Sequence, residues 1–108
     1  MAEDKAPSSA EKMFGDFAPA LVGFTDDVLF GQVWTRPELS PKERSLVTVA
    51  ALTTSGNTEQ LVYHLGLAKQ NGATESELIE AITHLAFYAG WPRAISAMTV
   101  AKQAFRGN

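Results

Sequence analysis

Asn57–Arg93, NTEQLVYHLGLAKQNGATESELIEAITHLAFYAGWPR, is the stretch that decides the fold, and it holds both histidines of the chain. It reads as two helices joined by a tight turn, with a third opening at its end. Asn57 or Thr58 caps the first helix, whose apolar stripe is Leu61, Leu65 and Ala68, with His64 inside it. Asn71-Gly72 ends that helix in the left-handed manner. Thr74-Glu75-Ser76-Glu77 is a capping box for the second helix. Leu78, Ile82, Leu85 and Ala89 form one face there, widened by Ile79 and Ala86. Gly90 closes it. Pro92 takes a first helical position, and a last helix carries Ile95, Met98, Ala101 and Phe105.

Upstream, Ser40-Pro41-Lys42-Glu43 is another capping box with proline where its missing N–H costs nothing. The helix it opens runs through RSLVTVAALTT to Gly56. Its interior is apolar and small, so it is central, contacted on most sides. Residues 1–8 read as a flexible leader and residues 9–108 as a single domain. Met13, Phe14, Phe17, Leu21 and Phe24 follow near-helical spacing, interrupted by Pro19. Val28, Leu29, Phe30, Val33 and Trp34 run to a break at Arg36-Pro37. These aromatics read as packing, within the subunit or against a neighbour. No segment alternates with period two. The fold class is all-α, a bundle of five to six short helices.

Composition narrows the function. The chain has 108 residues, a single-domain length, and a net charge of -3 with 19% charged residues. A nucleic-acid binder would need a basic face, so none is expected as a partner. The chain has no cysteine, which excludes disulfides, thiolate metal sites and cysteine nucleophiles. No apolar run approaches a signal peptide or a membrane span, so no membrane partner is expected and a cytoplasmic location is the default. So many apolar helix faces on so small a chain predict a homo-oligomer.

Six polar or charged residues are candidates for chemistry. His64 lies among apolar neighbours, which lower its pKa, with Gln60 one turn earlier and the Glu59 carboxylate nearby to raise it. Alternatively it is a core histidine satisfied by a backbone carbonyl. His84 shares a stripe with Glu80 and Tyr88, and an ion pair would explain it equally well. Arg44, in the first turn of its helix, suits a bidentate grip on a carboxylate. A salt bridge to Glu43 is the plainer reading. Arg93, after the Gly90-Trp91-Pro92 turn, is a second choice for the same grip. The two histidines lack a third ligand or an HExxH pattern, so no metal site is expected. There is no nucleophile elbow, phosphate loop or dinucleotide fingerprint, and no cofactor is expected.

The run PKERSLVTVAAL, the segment WTRPELS from Trp34 to Ser40, and above all His64–Gly72 and Thr83–Pro92 resemble the carboxymuconolactone decarboxylase family, over roughly residues 30–105. The branch they are most similar to is the γ-carboxymuconolactone decarboxylase one. The alkylhydroperoxidase D-like proteins of the same superfamily carry a CxxC pair, here Asn57 and Gln60, and a relay glutamate, here Ser45, so peroxidase chemistry is not implied. The resemblance implies a hexamer, a trimer of dimers, with sites near subunit contacts. It also implies a cofactor-independent decarboxylase of a small carboxylated lactone in aromatic catabolism. His64 and Glu59 would be the catalytic pair. Arg44, Trp34, Tyr88, Arg93 and His84 would bind the small-molecule substrate, with Leu61 and Phe87 as further apolar wall. A related enzyme acting on another lactone or keto acid, and a non-catalytic helical assembly module, are the alternatives.

Overall fold

The structure is a computed structural model in which residues 6–107 are described. The first five residues of the expected leader lie outside the described residues. Helices make up the fold in the order α1 (Ser9–Phe14), α2 (Pro19–Gly23), a π-helix (Phe24–Val33), α3 (Pro41–Ser55), α4 (Thr58–Gln70), α5 (Glu75–Ala89) and α6 (Trp91–Arg106). Among the described residues there is no strand. Contacts divide the chain into two compact units, one up to Glu38 and one from Leu39 onward.

In the N-terminal unit Ser8 caps α1, accepting from the Glu11 N–H at 3.0 Å while its hydroxyl donates to Asp26 at 2.7 Å. Pro19 opens α2 at a first-turn position, where its absent N–H goes unmissed. The wider turn of the π-helix brings the Trp34 N–H to the Leu29 carbonyl at 2.9 Å, and Phe30 stacks on Trp34 with ring centroids 5.7 Å apart. None of its helices buries a residue. Phe17 is 90% exposed, Met13 69% and Phe24 66%. These three side chains are exposed in the single subunit.

The C-terminal unit follows the local signals closely. Ser40 Oγ accepts from the Glu43 N–H at 3.1 Å, and the Ser40 N–H donates to Glu43 Oε1 at 2.8 Å. Thr74 and Glu77 repeat that reciprocal pair at 3.0 and 2.9 Å at the head of α5. Gly56 ends α3 in the left-handed conformation at φ 75°, and Gly72 follows the α4 C-cap at φ 103°. One cap differs from expectation. Asn57 precedes α4 but makes no side-chain cap, because its Oδ1 instead accepts from the Ser55 hydroxyl.

Val49, Leu61, Leu65, Leu78 and Ile82 are fully buried and form the centre of the core. The face that α6 turns to it is Ala94, Ala97 and Ala101. Methyl side chains let α6 approach closely, since interaxial distance follows the side chains at the contact. Ile95, expected on that face, is 57% exposed; the alanine stripe leaves it on the outer side. Helix α3 packs on α4, α5 and α6, and α6 packs on α4 and α5 as well. The α3–α6 pair is thus the middle of the bundle, with α4 on one flank and α5 on the other. Ion pairs tie the rim: Lys42 to Glu77 at 2.8 Å, and Lys69 to Glu75 at 2.6 Å.

Two predictions follow from the helix ends. The carboxyls of Glu43 and Glu77 are held below their usual value of 4.5, Glu43 by hydrogen bonds from Ser40, Glu77 by Lys42 and then Thr74. A carboxyl depressed in the folded state adds stability above its unfolded pKa and loses it as pH falls through the folded one. Denaturant midpoints should therefore drop below pH 4.5, and a Ser40→Ala, Thr74→Ala double variant should show a shallower drop. At Gly56 a Cβ would run into the Arg93 guanidinium, whose flexible end can swing aside. Gly56→Ala should cost about 1–2 kcal/mol, chiefly from the left-handed backbone. Adding Arg93→Ala should then cost less than Arg93→Ala does alone, which a double-mutant cycle reads directly.

Candidate active site

Helix periodicity places the candidate residues around α3 and α4. The buried face of α3 is Ser45, Val49 and Thr53. To one side of that face Lys42 reaches Glu77 on α5. On the other side Ser45 accepts a hydrogen bond from Asn71 Nδ2, at the end of α4, at 3.0 Å. That side therefore faces α4, and at about 100° per residue Thr48 and Arg44 lie further round on it. The same reasoning orients α4. Lys69 lies over the Phe105 ring of α6 at 5.1 Å. The opposite edge carries Asn71 and, seven residues before it, His64, so this edge faces α3. His64 and Arg44 thus border one seam between α3 and α4.

His64 is half-buried, and its Nδ1 is shielded from solvent, so the imidazole is partly dehydrated. Burial lowers its pKa below 6.5. Tyr63 meets the imidazole edge-on, with centroids 5.1 Å apart. The expected lift from Glu59 is corrected: desolvation is the cause that acts on His64, and it acts downward. Glu59 is exposed, and five residues along a helix place it about 140° round from His64. Arg44 is half-buried, with its backbone N–H bonded to Ser40 at 2.9 Å and its carbonyl accepting from Thr48 at 2.8 Å.

Other candidates lie elsewhere. The Arg93 guanidinium rests against Gly56, at the C-terminal end of α3. Arg44 stands twelve residues before Gly56, about 18 Å along the helix axis. The two arginines do not converge on one carboxylate within a subunit. At the end of α3 the Arg93 cation instead meets the negative end of the helix dipole. His84 and Tyr88 are exposed on α5, their rings 4.9 Å apart, on the opposite flank of the α3–α6 pair from His64. Trp34 belongs to the N-terminal unit. Phe87, 74% exposed, meets Trp91 edge-to-face at 5.3 Å on the outer surface, while Leu61 is fully buried. Among the described residues no group of three or more His, Cys, Asp or Glu side chains is placed to hold a metal ion, and no helix is long and apolar enough to cross a membrane. Surface depressions run along α6, one beside Val62 and Val100 and one beside Ile79 and Met98, and neither includes His64.

Sequence reading passed over Asn71, taken there only as a helix stop, and Ser45 and Thr48, polar residues on an otherwise apolar helix. The signal was present. A serine that is 0% exposed needs a partner, and an asparagine beside a turn glycine is free to supply one.

Comparison with known proteins gives the family. Residues 19–103 match the model of the carboxymuconolactone decarboxylase family. The chain is 40% identical to 4-carboxymuconolactone decarboxylase of Acinetobacter baylyi over 84% of its own length and 68% of that protein. It is also 40% identical to nitrosuccinic acid decarboxylase of Metarhizium robertsii, over 68% of its length and 52% of that relative. An uncharacterised 15.0 kDa protein of Paracoccus denitrificans is 30% identical over 73% of the chain and 60% of that protein. The enzyme class is that of a decarboxylase, a carbon–carbon lyase. With the family match spanning most of its length, the chain belongs to the carboxymuconolactone decarboxylase family.

Proposed function

We propose that the chain decarboxylates a small carboxylated lactone of the 4-carboxymuconolactone type, without a cofactor, in the breakdown of aromatic compounds. What supports this reading is a half-buried histidine and a first-turn arginine along one α3–α4 seam, separated by about 10 Å along the helix axis. The names of the two decarboxylase relatives share a chemical logic. Each named acid bears two carboxylates, and the one that departs is placed to push its electrons into a built-in sink. The sink is an unsaturated lactone carbonyl in one and a nitro group in the other.

For the lactone, the bond from the ring carbon to the departing carboxylate breaks and CO2 leaves. The electron pair runs through the ring double bond to the carbonyl oxygen, giving a dienolate. A proton added at the carbon next to that carbonyl completes the enol-lactone. Arg44 holds the retained carboxylate by paired hydrogen bonds. His64 donates to the dienolate oxygen and delivers the proton. A dianion arriving beside a dehydrated imidazole favours its protonated form, so substrate binding itself charges the acid. Glu59 is the second choice as proton donor. Trp34 is kept as a further apolar contact to substrate; Tyr88, His84 and Arg93 stand outside the seam of one subunit, and they serve substrate where a second copy brings them to it. A homo-oligomer, of the hexameric trimer-of-dimers kind, would do so and would cover Phe87, Tyr88, Trp91 and Ile95, all more than half exposed. Such an enzyme works in the cytoplasm.

These statements are testable with the purified chain. His64→Gln should lower kcat by about 100- to 1,000-fold, read as CO2 release from 4-carboxymuconolactone. Arg44→Ala should raise KM more than it lowers kcat. As the free enzyme must carry the proton, kcat/KM should fall as pH rises through a midpoint below 6.5. The corresponding fall in kcat should come at higher pH, and a flat profile would remove His64 as the acid. For assembly, sedimentation should give a mass several times 11.6 kDa, and Trp91→Glu should reduce it.

A further inference from the structure

Helices α3 and α4 meet largely through Val49, Leu61 and Leu65, fully buried aliphatic side chains whose attraction has no direction. Such an interface resists separation well and sliding poorly. At one end it carries a directional contact. Asn71 Nδ2 donates to Ser45 Oγ at 3.0 Å, and Ser45 is 0% exposed. Slippage by even part of a turn would strand that hydroxyl without water, at the cost of an unsatisfied buried polar group. The bond adjoins the candidate chemistry on α3 and shares its edge on α4. Ser45 follows Arg44 directly. Asn71 shares its α4 edge with His64, seven residues and about 10 Å away along the axis.

We propose that the Asn71–Ser45 hydrogen bond is the positioning contact of the site: it fixes the register of α4 against α3 and thereby the spacing of His64 from Arg44. The proposal rests on the decarboxylase reading of that seam. Neither residue is assigned a contact with substrate. Their effect runs through the two side chains that they place. An offset of about 1 Å between reacting groups is enough to slow an enzyme about a hundredfold, so the contact controls rate without taking part in the chemistry.

The experiment compares Ser45→Ala, Asn71→Ala and Asn71→Asp in the full chain. Asn71→Asp keeps a partner for Ser45, with the hydroxyl now donating to the carboxylate. Three readouts are taken: steady-state constants on 4-carboxymuconolactone, thermal midpoint, and the proton NMR titration of His64, with exposed His84 as internal reference. Each alanine variant should lower kcat/KM at least tenfold and move the His64 midpoint up toward 6.5, as a loosened seam admits water. The double alanine variant should be no worse than either single one. Asn71→Asp should recover most of the rate and return the His64 midpoint to its original value. A lowered thermal midpoint with unchanged kinetic constants and an unchanged His64 titration would overturn the proposal, leaving a purely structural bond. So would Asn71→Asp behaving like Asn71→Ala. Should an alanine variant not fold, Asn71→Asp against the parent chain still decides through the same titration. A parent chain inert toward the lactone sinks the functional reading, while the NMR arm still tests whether this bond places His64.

Discussion

Packing of α3 and α6 between the flanking α4 and α5 is the constraint on which the C-terminal unit depends. Ala94, Ala97 and Ala101 give α6 a face with almost no relief, and that face lies on the core beside Val49 and Leu78. A bulkier stripe would push the two helices apart and open a gap that the flanking leucines could not fill. With α3 and α6 as the middle pair, α4 and α5 are held on opposite flanks. The two histidines are separated by that arrangement, His64 on the α3-facing edge of α4 and His84 exposed on α5.

Polar groups inside this bundle follow from the same geometry. Ser45 and Thr53 are the buried polar residues of the core face of α3. Ser45 finds Asn71, whereas the Thr53 hydroxyl is buried with no hydrogen-bond partner. Such a hydroxyl costs free energy without return, and it lies toward the Gly56 end, away from the seam. Stability is thus spread unevenly along α3: a satisfied polar contact and a capping box near Ser40, and a left-handed glycine under an arginine at the other end.

Electrostatics at the seam favour an uncharged histidine until an anion arrives. Desolvation by burial is what lowers the His64 pKa. In the proposed function, a dianionic substrate would reverse that balance at the moment when a proton is needed. The reaction requires little else of the protein, because a carboxylate set beside its own electron sink supplies the electronic part of the chemistry.

The sequence by itself determined the four helices from Pro41 onward. Their ends are written in short-range chemistry: two capping boxes, two left-handed glycines and a proline at a first-turn position. Each such signal acts within a few residues, so no tertiary knowledge is needed to read it. It also determined that His64 lies at the edge of an apolar stripe, a matter of helical spacing alone. What only the tertiary structure decided is which edges meet. Arg44 and Arg93 look equivalent along the chain, yet one borders the α3–α4 seam and the other lies against Gly56. Asn71 looks like a stop signal, yet it reaches Ser45 twenty-six residues away. Ile95 looks like core and is displaced by alanines. In each case the deciding quantity is the distance between helices, which depends on side chains far apart in sequence and is fixed only when they pack.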